Sequence, residues 1–221
     1  MRPSAVTFAA SAFFSAVVSA SDPGFWIKNE NTRPVFISFD VSGGAAPADV
    51  WLDSQWSQWV PTNKGWSGAF YVSTTRTDHA VGAKRNADTK VEATFQGASD
   101  LTYFDVDVEK GFSLPVWCGP QAWNVASGCS YDFLSDCPQE DRHYDQFTGE
   151  YDQCKNPQSA ESIARFRSHC PSAYIQWNDV QTKASTNNVL NCYVQDTPGR
   201  NHKRSVDTSD MAGRVGVSFA A

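Results

Sequence analysis

The chain has 221 residues, with 18 Lys and Arg against 24 Asp and Glu, and a formal net charge of −6. A chain of this sign gains nothing from releasing the counterions of nucleic acid, and its longest basic run is His202-Lys203-Arg204, so nucleic-acid binding is not expected. No segment beyond the N-terminus is long and apolar enough to span a bilayer, which argues for a soluble product with no membrane association.

Residues 1–20 have the form of a secretory signal. Arg2 supplies a positive start, residues 5–18 (AVTFAASAFFSAVV) an apolar stretch, and Val18-Ser19-Ala20 the small residues of a cleavage site. Asp22-Pro23-Gly24 ends the run. The mature chain then starts at Ser21 or Asp22 with a charge of about −7, and its length is enough for one good core.

Strands follow in order. Phe25-Trp26-Ile27 and Val35-Phe36-Ile37-Ser38-Phe39 flank a polar stretch, and Gly68-Ala69-Phe70-Tyr71-Val72, Lys90 to Gln96 and Leu101 to Val108 alternate with period 2. Gly97-Ala98-Ser99-Asp100 reads as a four-residue hairpin loop. That register sets Val91 opposite Val106 and Ala93 opposite Phe104 on one face, and Lys90 opposite Asp107 and Glu92 opposite Asp105 on the other. Two carboxylates directly across a ladder repel. They are either a solvated accident or an acidic pair whose proton affinities are split for function.

All six cysteines (Cys118, Cys129, Cys137, Cys154, Cys170, Cys192) lie in the second half. An even count behind a secretory signal points to three disulfides, with fifteen pairings open. No Cys-x-x-Cys pair exists and the four histidines have no familiar ligand spacing, so neither a metal nor a cofactor is expected. The best helix is Gln158 to Phe166, with its start marked by Ser159 as a candidate N-cap or by Pro157 near the first turn. By composition the mature chain splits into a cysteine-free part that reads as β, residues 21–117 with 193–221, and a part, 118–192, that holds every cysteine and the helix candidate and is rich in Asp, Gln, Ser, Asn and Pro. The end, Arg214 to Ala220, reads as β again. There is no Asn-x-Ser/Thr sequon, no Gly-x-Ser-x-Gly elbow, no phosphate-binding Gly-rich loop and no His-Glu-x-x-His.

Three stretches carry a family resemblance. LTYFDVDVEKGFSLPV at 101–116 is similar to D-x-Y-D-V-S-x-V-D-G-F-N-L-P-M, GCSYDFLSDCP at 128–138 to C-x-x-D-L-x-x-x-C-P, and FRSHCPSAY at 166–174 to F-K-x-x-C-P-D-A-Y. These motifs resemble the thaumatin-like proteins, and among them the shorter fungal members with fewer cysteines. The family's terminal disulfide is missing at both ends, where Asn31 and Ala220 stand. The resemblance implies an all-β fold, a flattened β-sandwich with an attached disulfide-rich loop domain, and the pairs Cys118–Cys192, Cys129–Cys170 and Cys137–Cys154. It also implies a monomer, secreted to the extracellular space or cell wall, with an acidic interdomain cleft for wall β-1,3-glucan.

Carried over by position, the cleft acids are Glu92, Asp105 and Asp179. Lys110 replaces a cleft Asp, with Glu109 beside it. Ser73 falls at the family's cleft arginine, with Arg76 three residues on, and a cysteine-rich segment before the Glu92 strand is absent. Glycoside hydrolysis needs two carboxyl groups about the scissile bond. Glu92 is the expected general acid, with Asp179 or Asp105 as base or nucleophile. The alternatives are that these acids only bind sugar hydroxyls, or that they only tie the hairpin to the loop domain. Trp177, two residues before Asp179, is the candidate stacking aromatic. Three functions follow as expectations: a glucan-binding protein, a weak endo-β-1,3-glucanase in the same cleft, or an effector or protease-inhibitor-like interaction protein on the same scaffold.

Overall fold

The computed structural model describes residues 22–74, 87–145 and 149–196. The expected signal segment, Arg76 and the Arg214 to Ala220 end lie outside the described residues. The first half forms β1 (Gly24–Asn29), β2 (Val35–Gly43), β3 (Val50–Leu52), β4 (Ser57–Pro61), β5 (Ser67–Ser73), β6 (Thr89–Thr94) and β7 (Thr102–Asp107). The second half adds β8 (Gly111–Phe112), β9 (Val116–Pro120), β10 (Ser127–Cys129), α1 (Phe133–Asp136), β11 (Arg142–Asp145), β12 (Glu150–Lys155), α2 (Ala160–His169), β13 (Lys183–Ser185) and β14 (Val189–Val194).

The described residues make three sheets. One is β10-β9-β14-β1-β4, one β13-β7-β6-β5-β2-β3, and a small one β11-β12-β8. The two large sheets share one buried core, because alternate residues of most of their strands are apolar and pack into it. Phe25 is at its centre, with Trp66, Phe70 and Phe95 edge-on at 5.6, 5.2 and 4.9 Å. Such edge-to-face contacts add to the burial of the rings. A second core of Val108, Phe112, Phe133, Phe166 and Ile175 gathers around Cys129, Cys137, Cys154 and Cys170.

The bridges are Cys118–Cys192, Cys129–Cys170 and Cys137–Cys154. Disulfides of this kind persist in oxidising compartments such as the extracellular space. Cys118 and Cys192 face each other across β9 and β14, inside the sandwich core. β9, β10 and β14 complete the five-stranded sheet, and β13 extends the six-stranded one. One of the three bridges, Cys118–Cys192, thus lies in the core that the two large sheets share.

Ser159 caps α2, its side chain accepting from Ser162 N at 3.1 Å, and Arg167 and His169 in the last turn suit the helix dipole. Ser159→Ala is expected to lower stability by about 1 kcal/mol, read as a shift of the urea midpoint. Buried Asn156 joins the layers by donating to Val108 O and Ile175 O, both at 3.1 Å, while accepting from Ser162 Oγ at 2.7 Å. These bonds hold the turn that leads from Cys170 back to β13.

Candidate functional site

The β6–β7 hairpin has the register expected from its loop: Lys90 pairs with Asp107, Val91 with Val106, Glu92 with Asp105 and Ala93 with Phe104. Val91, Val106 and Phe104 enter the core. Period 2 then sends Glu92 and Asp105 to the outer face of the six-stranded sheet. Ladder partners extend this into a row, since Glu92 pairs with Ala69 and Ala69 with Asp40. Lys183 pairs with Phe104, so the preceding residue, Thr182, closes the row beside Asp105.

The face is a groove of about 410 Å³ whose walls include Asp40, Tyr71, Glu92, Tyr103, Asp105 and Thr182. Along one side runs a hydroxyl ladder. Ser42 Oγ donates to Ser67 Oγ at 3.2 Å, and Ser67 Oγ lies 2.9 Å from Thr94 Oγ1. Gly68 lets β2 and β5 close there, since a Cβ on it would stand 2.4 Å from Asp40 O.

The two opposed acids have different surroundings. The Glu92 side chain is 46% exposed, and its Oε1 is 2.7 Å from Lys90 Nζ. The same ammonium sits 2.7 Å from Asp107 Oδ2. Burial alone would lower Lys90, but Asp107 and Glu92 more than reverse this and hold it raised. Asp105 is only 4% exposed. Its Oδ2 accepts from Thr182 Oγ1 at 2.9 Å, while Oδ1 is shielded and has no hydrogen-bond partner. Burial holds Asp105 up at about 7; the Thr182 bond and Lys90 oppose this, and Glu92 and Asp107 add to it. The acid poised to hold a proton near neutrality is therefore Asp105. Glu92, the expected general acid, is half in water and ion-paired with Lys90.

Asp179 does not join the pair. Its Oδ2 accepts from Ile175 N at 3.0 Å, its Oδ1 from Val180 N at 2.9 Å, and it also binds Arg167 of α2. It is the keystone of a turn and is absent from the groove walls. Glu109 pairs with Lys110 at 2.9 Å and also lies off the walls. Trp177 is 77% exposed at the tip of the turn that Asp179 ties, likewise off the walls. Ser73 is buried in β5. Sequence reasoning missed Thr182, Asp40 and Tyr71. Tyr71 stands between core-facing Phe70 and Val72 in β5, and that alternation was a signal for the tyrosine, whereas nothing local marked Thr182. Among the described residues no group of three His, Cys, Asp or Glu has a metal-holding arrangement.

No family model matches the chain. No curated protein matches it either. Among solved structures it is similar to the crystal structure of the protein elicitor MoHrip2 from Magnaporthe oryzae, with a TM-score of 0.41, 12% identity, and coverage of 78% of this chain and 98% of that one.

Proposed function

We propose that this is a secreted thaumatin-like protein that binds β-1,3-glucan of cell walls in the groove on the outer face of the six-stranded sheet. The observation that carries the reading is the pairing of the acid row with the hydroxyl ladder on one open face. Carboxylates, hydroxyls and tyrosine edges are the groups that exchange hydrogen bonds with a neutral polyhydroxyl chain. The motif resemblance at 101–116, 128–138 and 166–174 supplies the choice of glucan, and the three disulfides fit a secreted product.

The test is co-sedimentation of the oxidised protein with insoluble linear β-1,3-glucan. Glu92→Gln removes a charged acceptor from the groove and leaves Lys90 its Asp107 partner. An affinity loss of about tenfold is expected. Wild-type protein that stays in the supernatant would sink the reading.

A second reading, weak endo-β-1,3-glucanase, is favoured by one further observation: the opposed acids have unlike environments, the arrangement by which one donates a proton and the other attacks. Asp105 would give its proton to the glycosidic oxygen while Glu92 bonds to the anomeric carbon. Water would then release the sugar as Asp105 takes the proton back, with retention of configuration. Reducing ends released by wild type but not by Asp105→Asn would establish it.

A further inference from the structure

The five-stranded sheet has two unlike faces. Phe25, Ile27, Val60, Leu190 and Val194 point into the sandwich core. Period 2 sends the residues between them outward. Aromatic rings that belong to neither buried core gather on that outer face. Trp59 of β4 pairs with Trp26 of β1, Trp26 with Asn191 of β14, and Asn191 with Gly119 of β9. The next row runs from Lys28 through Tyr193 and Trp117 to Gly128. Trp123, from the β9–β10 loop, has its ring 5.5 Å from that of Tyr193, and the Trp26 and Trp59 rings are likewise 5.5 Å apart.

Three glycines keep the indoles low on the sheet. A Cβ on Gly24 would stand 2.7 Å from the Trp59 ring, one on Gly119 2.7 Å from the Trp123 ring, and one on Gly128 2.6 Å from the Trp117 ring. Each indole thus lies over backbone that a missing side chain leaves bare. Trp117 is buried beneath the others, whereas Trp26, Trp59, Trp123 and Tyr193 are half-buried. The sheet covers part of each of these four rings and solvent reaches the rest. Rings seated in this way have little freedom left to lose on binding.

Charge and polarity say what the face fits. Among its described outward strand residues Lys28 is the one charge, and its Nζ is 3.4 Å from Glu30 Oε1. The face therefore matches an uncharged partner. Asn191 stands in the row between Trp26 and Gly119, which Trp123 covers, and its amide both donates and accepts. Apolar rings interleaved with neutral hydrogen-bonding groups are the complement of a pyranose, which has C–H faces and hydroxyl edges. From β4 to β9 is three strand spacings, about 14 Å, which suits a chain of sugars rather than one ring.

We propose that the outer face of the five-stranded sheet is a second carbohydrate-binding surface, an aromatic platform for an extended, uncharged polysaccharide chain. It lies on the other side of the sandwich from the acidic groove and does not rest on the groove's ligand.

The experiment is fluorine NMR of the full oxidised protein labelled with fluorotryptophan, titrated with short soluble oligosaccharides of β-1,3-glucan, cellulose and chitin. The Trp59 and Trp123 signals, assigned by Trp59→Phe and Trp123→Phe, are expected to move with at least one of the three. Those of Trp51 on β3 and of fully buried Trp66 are expected to stay. In co-sedimentation with the matching insoluble polymer, Trp59→Ala and Trp123→Ala should each lower affinity about tenfold, and Trp51→Ala should leave it unchanged. Signals of Trp59 and Trp123 that ignore all three sugars overturn the platform, and this reading needs no alanine variant to fold. Movement of those signals with protein concentration alone also overturns it, marking a contact between copies. The groove is decided separately: glucan retention that Glu92→Gln weakens, with Trp59 and Trp123 unmoved, supports the groove and counts against the platform.

Discussion

Cys118→Ala with Cys192→Ala is expected to lower stability by about 4 kcal/mol. The bridge spans 74 residues of sequence, and closing a loop of that length in the unfolded chain is worth about 4.5 kcal/mol in the chain-entropy model. The Cys137–Cys154 loop, with a separation of 17, gives about 3 kcal/mol on the same basis. Position adds to the difference. Cys118 and Cys192 are fully buried register partners in the sandwich core, where lost sulfur atoms also leave space that the core fills only partly. The bridge ties β14, the central strand between β1 and β9, to its neighbour. The measurement is the denaturant midpoint of the double variant beside wild type, with the m-value as a check on the unfolded state. A midpoint within error of wild type would mean that ladder pairing alone holds β14.

Asp105→Asn is expected to act in opposite directions on stability and on the groove. An aspartate titrates at about 3.8 when solvated, and Asp105 does so at about 7 in the fold. The raised value means that the folded state holds a proton the unfolded chain has released. Asp105 therefore costs nothing at pH 3, and its cost grows as pH rises from about 4 to about 7. Above pH 7 the folded carboxyl is ionised against its burial, at a penalty of about 4 kcal/mol. Asparagine cannot ionise and still accepts from Thr182. Its amide group would face the place where Oδ1 has no partner, which gives back about 1–3 kcal/mol. The net expectation is a gain of about 1–3 kcal/mol at pH 8 and no gain near pH 3. Thermal melts of both proteins across that range would show it. A variant less stable than wild type at pH 8 would mean that Asp105 is not held up by burial. If the groove hydrolyses glucan, the same variant loses about 10²–10⁴-fold in turnover, the usual worth of a positioned general acid.

These two residue sets show what was legible in advance. The Glu92–Asp105 opposition follows from a loop length and the period of a strand, both local properties, and the structure has that register. The α2 helix and its Ser159 cap were readable for the same reason. The short strands β3, β9 and β13 were not, because three to five residues carry too little periodicity to separate them from loop. Cysteine spacing likewise says nothing about which sheet a bridge lies in.

By itself the sequence determined the two apolar faces, the disulfide-bearing half and the acidic pair on one side of the hairpin. Only the tertiary structure decided what the acids are. It assigned Asp179 to a turn with Arg167, brought Thr182 over the sheet edge to Asp105, and set Asp40 and Tyr71 into the same groove. The physical reason is range. Side-chain alternation is fixed by neighbours along the strand, whereas the proton affinity of a carboxyl depends on how much water and which donors reach it from segments far away in the chain.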